Sequence, residues 1–215
     1  MGGKVRYLVA LDIEHHIFLS EWAQEYPEAK LIGPEGLPEK RLKAAGQDPK
    51  IGREPFAVVF RAAQKREIRI SEEFDRDFDY EYVETHPNRE LVFYYRPDRV
   101  LIEADLMFNL PATEQYSRVP AEQKKEGFLS RLFAGLQTPG EGDPKGMKRL
   151  LWYGISGAKR DAFNESVRRI DSWDFATLIP CHGDTLEGNG KEVFERVFEW
   201  HLKGRKAGGG TETKI

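Results

Sequence analysis

The chain has 215 residues, 40% of them hydrophobic and 32% charged, with 13 Phe, 8 Tyr and 4 Trp; this is a globular composition with aromatic volume for a core. A formal net charge of −3, with the basic residues scattered among acids, excludes a strong field for nucleic acid or a membrane surface. One cysteine, Cys181, excludes an internal disulfide, no apolar run approaches the roughly 20 residues of a membrane span, and Met1–Lys4 lack the apolar stretch of a signal peptide, so a cytoplasmic setting is the default.

Lys4–Leu11 reads as a strand buried on both faces, Ile17–Trp22 as a short helix ended before Pro27, and Ala29–Ile32 as a second strand closed by Gly33-Pro34. Pro38–Ala45 fits a helix with proline in its first turn. Phe56–Phe60 is apolar throughout, so its periodicity fits strand or helix. From Ile68 to Val83 apolar residues mostly alternate with charged ones, the pattern of half-buried antiparallel strands. Glu90–Tyr95 and Val100–Asp105, joined by Arg96-Pro97-Asp98-Arg99, form the clearest hairpin. Farther on, a helix is expected over Glu126–Leu136 and another over Met147–Ile170, broken near Gly154 and Gly157. Phe175–Pro180 reads as a buried strand and Lys191–Leu202 as an amphipathic helix. Residues 1–203 are expected to form one unit, followed by a disordered tail at 204–215.

The five histidines carry the functional signal. At least four of His15, His16, His86, His182 and His201 end a strand-like run and begin a loop, where a layered sheet fold collects metal ligands. The chain reads as a way of bringing His15, His16, His86, Asp105 and His182 together. The residues alone also allow a His15-His16 pair that satisfies backbone carbonyls, and an Asp12 that either orients an imidazole or is simply solvated. Cys181, flanked by apolar residues, reads as buried and inert, and His201 as a histidine without chemistry.

In order and context these segments resemble the metallo-β-lactamase superfamily. The segments are the strand ending in His15-His16, Thr85-His86-Pro87-Asn88 before the hairpin, Glu103-Ala104-Asp105 at its end, and Pro180-Cys181-His182-Gly183 after the last strand. The stretches Ala10–His16 and Glu103–Pro111 are similar to an uncharacterised branch, the DUF4336 family. The resemblance implies an αββα layered sandwich. It also implies a metal site drawn from His15, His16, His86, Asp105 and His182, with His15 and Asp105 in catalytic roles. Three imidazoles and a carboxylate suit Zn²⁺, with Fe or Mn behind it.

Two departures shape the expectation. The superfamily pattern His-x-His-x-Asp-His, aligned on His16, meets Leu11, Ile13 and His15 at its earlier places, so one of two metal sites loses its ligands. The motif also arrives by residue 16, which leaves the sandwich incomplete at the N-terminus, through truncation or with a partner or compensating edge covering the sheet. The implied activity is one-metal activation of water against an ester, thioester or lactam carbonyl of a small molecule. The alternative is a non-catalytic relative, a pseudoenzyme or interaction module, with a degenerate site.

Overall fold

A computed structural model describes residues 4–120 and 134–204. Strands β1 (Tyr7–Val9), β2 (Lys30–Pro34) and β3 (Phe56–Phe60) form a parallel sheet in that order. Helices α1 (Leu19–Glu25) and α2 (Leu37–Ala44) cross between these strands. The second sheet holds β4 (Phe78–Val83), β5 (Glu90–Tyr95), β6 (Val100–Ile102) and β7 (Thr177–Ile179). Its first three strands are antiparallel, and β7 joins β6 in parallel.

Side-chain alternation explains the layering. On β5, Leu91 and Phe93 point toward the first sheet and pack with Ile32, Phe60, Tyr82 and Phe74 between the two sheets. Val92 and Tyr94 point the other way, onto helices α5 (Arg160–Asp171), α6 (Gly190–Val197) and α7 (Glu199–Lys203). Helix α5 answers with Phe163, Val167 and Ile170 on one stripe. Each such fully buried side chain is worth about 1.5–3 kcal/mol. The outer face of the first sheet is closed by Leu19 of α1 and Leu37 of α2 against Leu31. The result is helix, sheet, sheet, helix. Strand β1 is a half-buried, three-residue edge of the first sheet and not the longer strand buried on both faces expected over Lys4–Leu11, because only β2 pairs with it.

Two expectations change in detail. The alternating stretch from Ile68 is not all strand: Glu72–Asp77 forms helix α3. Ser71 Oγ accepts the Phe74 N–H at 3.1 Å and caps it, and acidic residues fill its first turn. Phe56–Phe60, ambiguous from its periodicity, is strand. The helical stretch near 150 begins as α4 (Lys145–Arg149) and continues as a π-helix over Leu150–Ile155 before α5. The helix expected over Glu126–Leu136 lies outside the described residues except for a helical turn at 134–136, and so does the tail except for Gly204. No helix among the described residues is long and apolar enough to cross a membrane.

Candidate metal centre

Four loops leave the two sheets at one end. The loop after β1 is tied to the start of β5 by the Leu91 N–H on Leu11 O at 2.6 Å and the Ile13 N–H on Asn88 O at 3.0 Å. The loop after β6 is tied to the one after β7 by Cys181 N–H on Ala104 O at 3.2 Å and Asn109 N–H on His182 O at 3.0 Å. Gly183 has φ +111°, and a Cβ there would overlap the Asn109 carbonyl, so the glycine after His182 is set by the backbone.

These ties bring Asp12, His15, Asp105 and His182 together. Asp12 is fully buried; one carboxylate oxygen accepts the backbone N–H of Glu14 at 2.8 Å and of His15 at 2.7 Å. The other lies 2.7 Å from His15 Nδ1. His15 Nδ1 is 3.9 Å from Asp105 Oδ2, and His182 Nε2 is 3.3 Å from Asp105 Oδ1. Asn88 donates its side-chain amide to Asp105 Oδ2. Asp105 Oδ1 is buried and accepts no hydrogen bond from the described residues, since His182 Nε2, though near, lacks bonding geometry. Burial first, and Asp12 after it, push the Asp105 carboxyl above the usual range, against the pull of His15 and His182.

Cys181 joins from the rim. The residue is exposed, contrary to the buried thiol read from the sequence, and its sulfur lies within 4.8 Å of ligand atoms of His15 and His182. Partial burial of the thiol and the neighbouring carboxylates push it up to about 11, so it is neutral at ordinary pH.

His16 sits apart from the cluster, and His86 lies beside Asp12 and Asp105 at its inner edge. His16 is turned under α2, its Nδ1 3.4 Å from Arg41 Nη1, while the same guanidinium donates to the His16 carbonyl at 2.7 Å. Arg41 is itself buried and anchored by Glu54 at 2.6 Å and Ser20 at 2.8 Å. Burial, then Lys40 and Arg41, lower the His16 pKa. A fixed guanidinium against the ring opposes a second cation there. His86, 4% exposed, accepts the Asn88 N–H on Nδ1 at 3.2 Å, and burial pushes it down to about 4. Asp12 and a backbone hydrogen bond at Asp105 oppose that lowering.

Two buried acids support the site and were not singled out in the sequence. Glu90 accepts the N–H groups of Ala104 at 2.5 Å and Asp105 at 3.1 Å; Glu103 accepts those of Leu106 at 2.8 Å and Met107 at 3.3 Å. The signal for both was available: an acid at the end of a buried apolar strand must find donors. Asp184 shapes the adjoining loop, accepting from Thr113 Oγ1 and, at 2.9 Å, from Glu114 N–H. His201 lies remote from the cluster, hydrogen-bonded to Ser156 Oγ at 3.0 Å inside the helical layer.

The donor set fits a metal. Two groups of donors that share His15, namely Asp12, His15 and Asp105 and then His15, Cys181 and His182, each have ligand atoms within 4.8 Å of one another and come from three loops, which is the kind of set a divalent ion requires. A larger cleft of about 730 Å³ opens between β1 and α3, with Lys4, Arg6, Glu73 and Asp77 on an otherwise apolar lining and no histidine.

No protein-family model matches the chain, and no curated protein sequence matches it. Solved structures do. The flavodiiron protein from Giardia intestinalis aligns over 92% of this chain at 12% identity with a TM-score of 0.54. Rubredoxin oxygen:oxidoreductase from Desulfovibrio gigas aligns over 92% at 14% identity, also with a TM-score of 0.54. The chain spans 42% and 44% of those two proteins. The DIM-1 metallo-beta-lactamase aligns over 89% of this chain and 66% of its own, at 11% identity and a TM-score of 0.45. The fold is the metallo-β-lactamase-like layered sandwich.

Proposed function

We propose that this chain is a metal-dependent, hydrolase-like protein that holds one divalent ion between His15, Asp105 and His182, with Asp12 behind His15 or beside it. The observation that carries the reading is the convergence of these four donors from three loops at one end of both sheets. Zn²⁺ suits the set best, with Fe or Mn behind it. When bound, such an ion would lower the pKa of its water toward ~7 and polarise a carbonyl.

The chain's own residues do the rest. Asp12 fixes the His15 ring, and the Asn88 amide and the Glu90 carboxyl hold Asp105 by side chain and backbone. Asp105, its carboxyl held above the usual range, and His15 are the groups placed to take a proton. The substrate class is an ester, thioester or lactam of a small molecule, in the cytoplasm, without nucleic acid or membrane. Within the superfamily, Ala10–His16 and Glu103–Pro111 favour the DUF4336 branch.

A second reading is a non-catalytic relative. It is favoured by the His15–Asp12 and Asn88–Asp105 hydrogen bonds, which hold the cluster without an ion, and by Leu11 and Ile13, which pack into the core. Elemental analysis of protein purified without added metal separates the two. About one equivalent, with hydrolysis of generic esters or thioesters, supports the hydrolase; no metal supports the relative.

A further inference from the structure

On a strand, neighbouring side chains point to opposite faces. Strand β7 ends at Ile179, so Cys181 and His182 lie in the turn beyond it and escape that rule. The turn is pinned on both sides: Ala104 O takes the Cys181 N–H at 3.2 Å, and His182 O takes the Asn109 N–H at 3.0 Å. Both side chains thereby reach His15, and ligand atoms of His15, Cys181 and His182 all lie within 4.8 Å of one another. The Cys181 thiol is free and exposed, so an ion arriving from solvent meets it at the rim. It is the chain's one cysteine, so no internal disulfide competes for the sulfur.

Charge gives the sulfur something to bind. Asp12 and Asp105 share His15 with this group, their own ligand atoms within 4.8 Å of its ring nitrogen. Among the described residues their ion-pair partners are His15 and His182, and no lysine or arginine neutralises either carboxylate. Asp105 Oδ1 is buried and accepts no hydrogen bond. Two carboxylates without a fixed cation attract a mobile one. The distances allow the sulfur to share it. Zinc bonds of about 2.3 Å to sulfur and 2.0–2.1 Å to nitrogen set a tetrahedral S···N separation near 3.5 Å. The sulfur therefore has little more than about 1 Å to close, which a small rotation about its Cα–Cβ bond covers.

We infer that Cys181 is itself a ligand of the ion proposed for this site, bound through its sulfur together with His15, Asp105 and His182. The inference rests on the metal reading above and deepens it. On binding, the S–H bond breaks, the proton goes to water, and the electron pair stays on sulfur to form the bond to the ion. A thiolate selects borderline and softer ions, so Zn²⁺ is preferred over Mn²⁺. Four protein donors fill a tetrahedral shell, and water finds a place only when one of them leaves. The sulfur at the rim is the donor able to leave, so the site opens when Cys181 lets go.

The test adds Co²⁺ alone to full-length, metal-free protein and needs no turnover. Sulfur-bound Co²⁺ shows a charge-transfer band in the near ultraviolet besides its visible bands, and about one equivalent should produce both. Cys181→Ser should keep the visible bands, lose the near-ultraviolet band and bind Co²⁺ at least about tenfold more weakly, the loss that even an orienting partner brings. Visible bands without the charge-transfer band in the parent overturn the inference and leave the metal reading standing. A near-ultraviolet band that persists in Cys181→Ser overturns it too. No Co²⁺ binding at all refutes the metal reading and this inference with it. Alkylation of the parent by iodoacetamide needs no variant, because the free thiolate is the nucleophile and Cys181 the one thiol. Saturating Zn²⁺ should slow that reaction at least about fivefold yet let it run to completion as the sulfur leaves and returns. An unchanged rate overturns the ligation, and complete protection overturns the exchange.

Discussion

Asp12→Asn is the substitution that examines the metal centre most closely. Asp12 has two separable jobs. Oδ1 accepts the backbone N–H of Glu14 and His15 at 2.8 and 2.7 Å and shapes the loop; Oδ2 meets His15 Nδ1 at 2.7 Å. Asparagine can keep the first job through its carbonyl oxygen. It cannot do the second, because its NH₂ is a donor where the imidazole needs an acceptor. The loop should therefore survive with stability within about 1 kcal/mol of the parent, while His15 loses the partner that sets its tautomer. Loss of such an orienting carboxylate typically costs 10- to 100-fold in metal affinity, or roughly 1.4–2.7 kcal/mol. The assay is competition for Zn²⁺ against a chromophoric chelator, with urea unfolding of both metal-free proteins beside it. Unchanged zinc affinity would show that Asp12 does not orient a ligand. Complete loss of binding in a stably folded protein would show that Asp12 is itself a ligand.

Other substitutions probe the same assignment from different sides. His182→Ala removes a donor 3.3 Å from Asp105 and should take metal content from about one equivalent to near zero by elemental analysis. His16→Gln should leave metal content untouched, because the ring faces Arg41, and should lower stability by about 1 kcal/mol in urea unfolding; loss of metal would put His16 back among the ligands. His201→Phe isolates a buried histidine whose pKa is pushed from 6.5 down to about 4, chiefly by burial. The folded state binds fewer protons there than the unfolded chain, so the parent's stability is fully present above 6.5 and is lost as pH falls toward 4. At pH 5 that loss is about 2 kcal/mol. The phenylalanine variant should escape it, so the stability difference between the two proteins should move by that amount between pH 7.5 and pH 5; a pH-independent difference would mean that His201 is not held neutral.

The fold was legible where one physical signal dominated. The strands within Lys4–Leu11 and Ala29–Ile32 and the hairpin β5–β6 were readable from apolar runs and turn chemistry, although β1, expected to be buried on both faces, is a half-buried edge. Ile68–Val83 misled, because alternation over so short a span fits strand and helix alike. What settles Glu72–Asp77 as helix is a local cap at Ser71 and an acidic first turn, which hydrophobic periodicity does not register. The π-helix left no sequence signal beyond Gly154, near which a break was expected.

The site was legible as a set of loops and less so as a set of atoms. Neighbouring residues on a loop point in different directions, and the loop's anchors decide which one faces the cluster. In His15-His16 that choice is made by Asp12 and Arg41, three residues before and 25 residues after. Asp12 takes the His15 N–H and its ring, while Arg41 takes the His16 carbonyl and lies against its ring. Alignment on His16 places the pair at the motif but cannot see either anchor. The same reasoning separates His86 from His182. Both follow strands, yet the turn at Asn88 returns an N–H to His86 Nδ1 and the ring is buried, whereas His182 leaves β7 partly exposed with Nε2 3.3 Å from Asp105 Oδ1. Ligand identity in this chain is therefore set by what each imidazole's neighbours donate or accept, a property of the folded loops that spacing in the sequence does not encode.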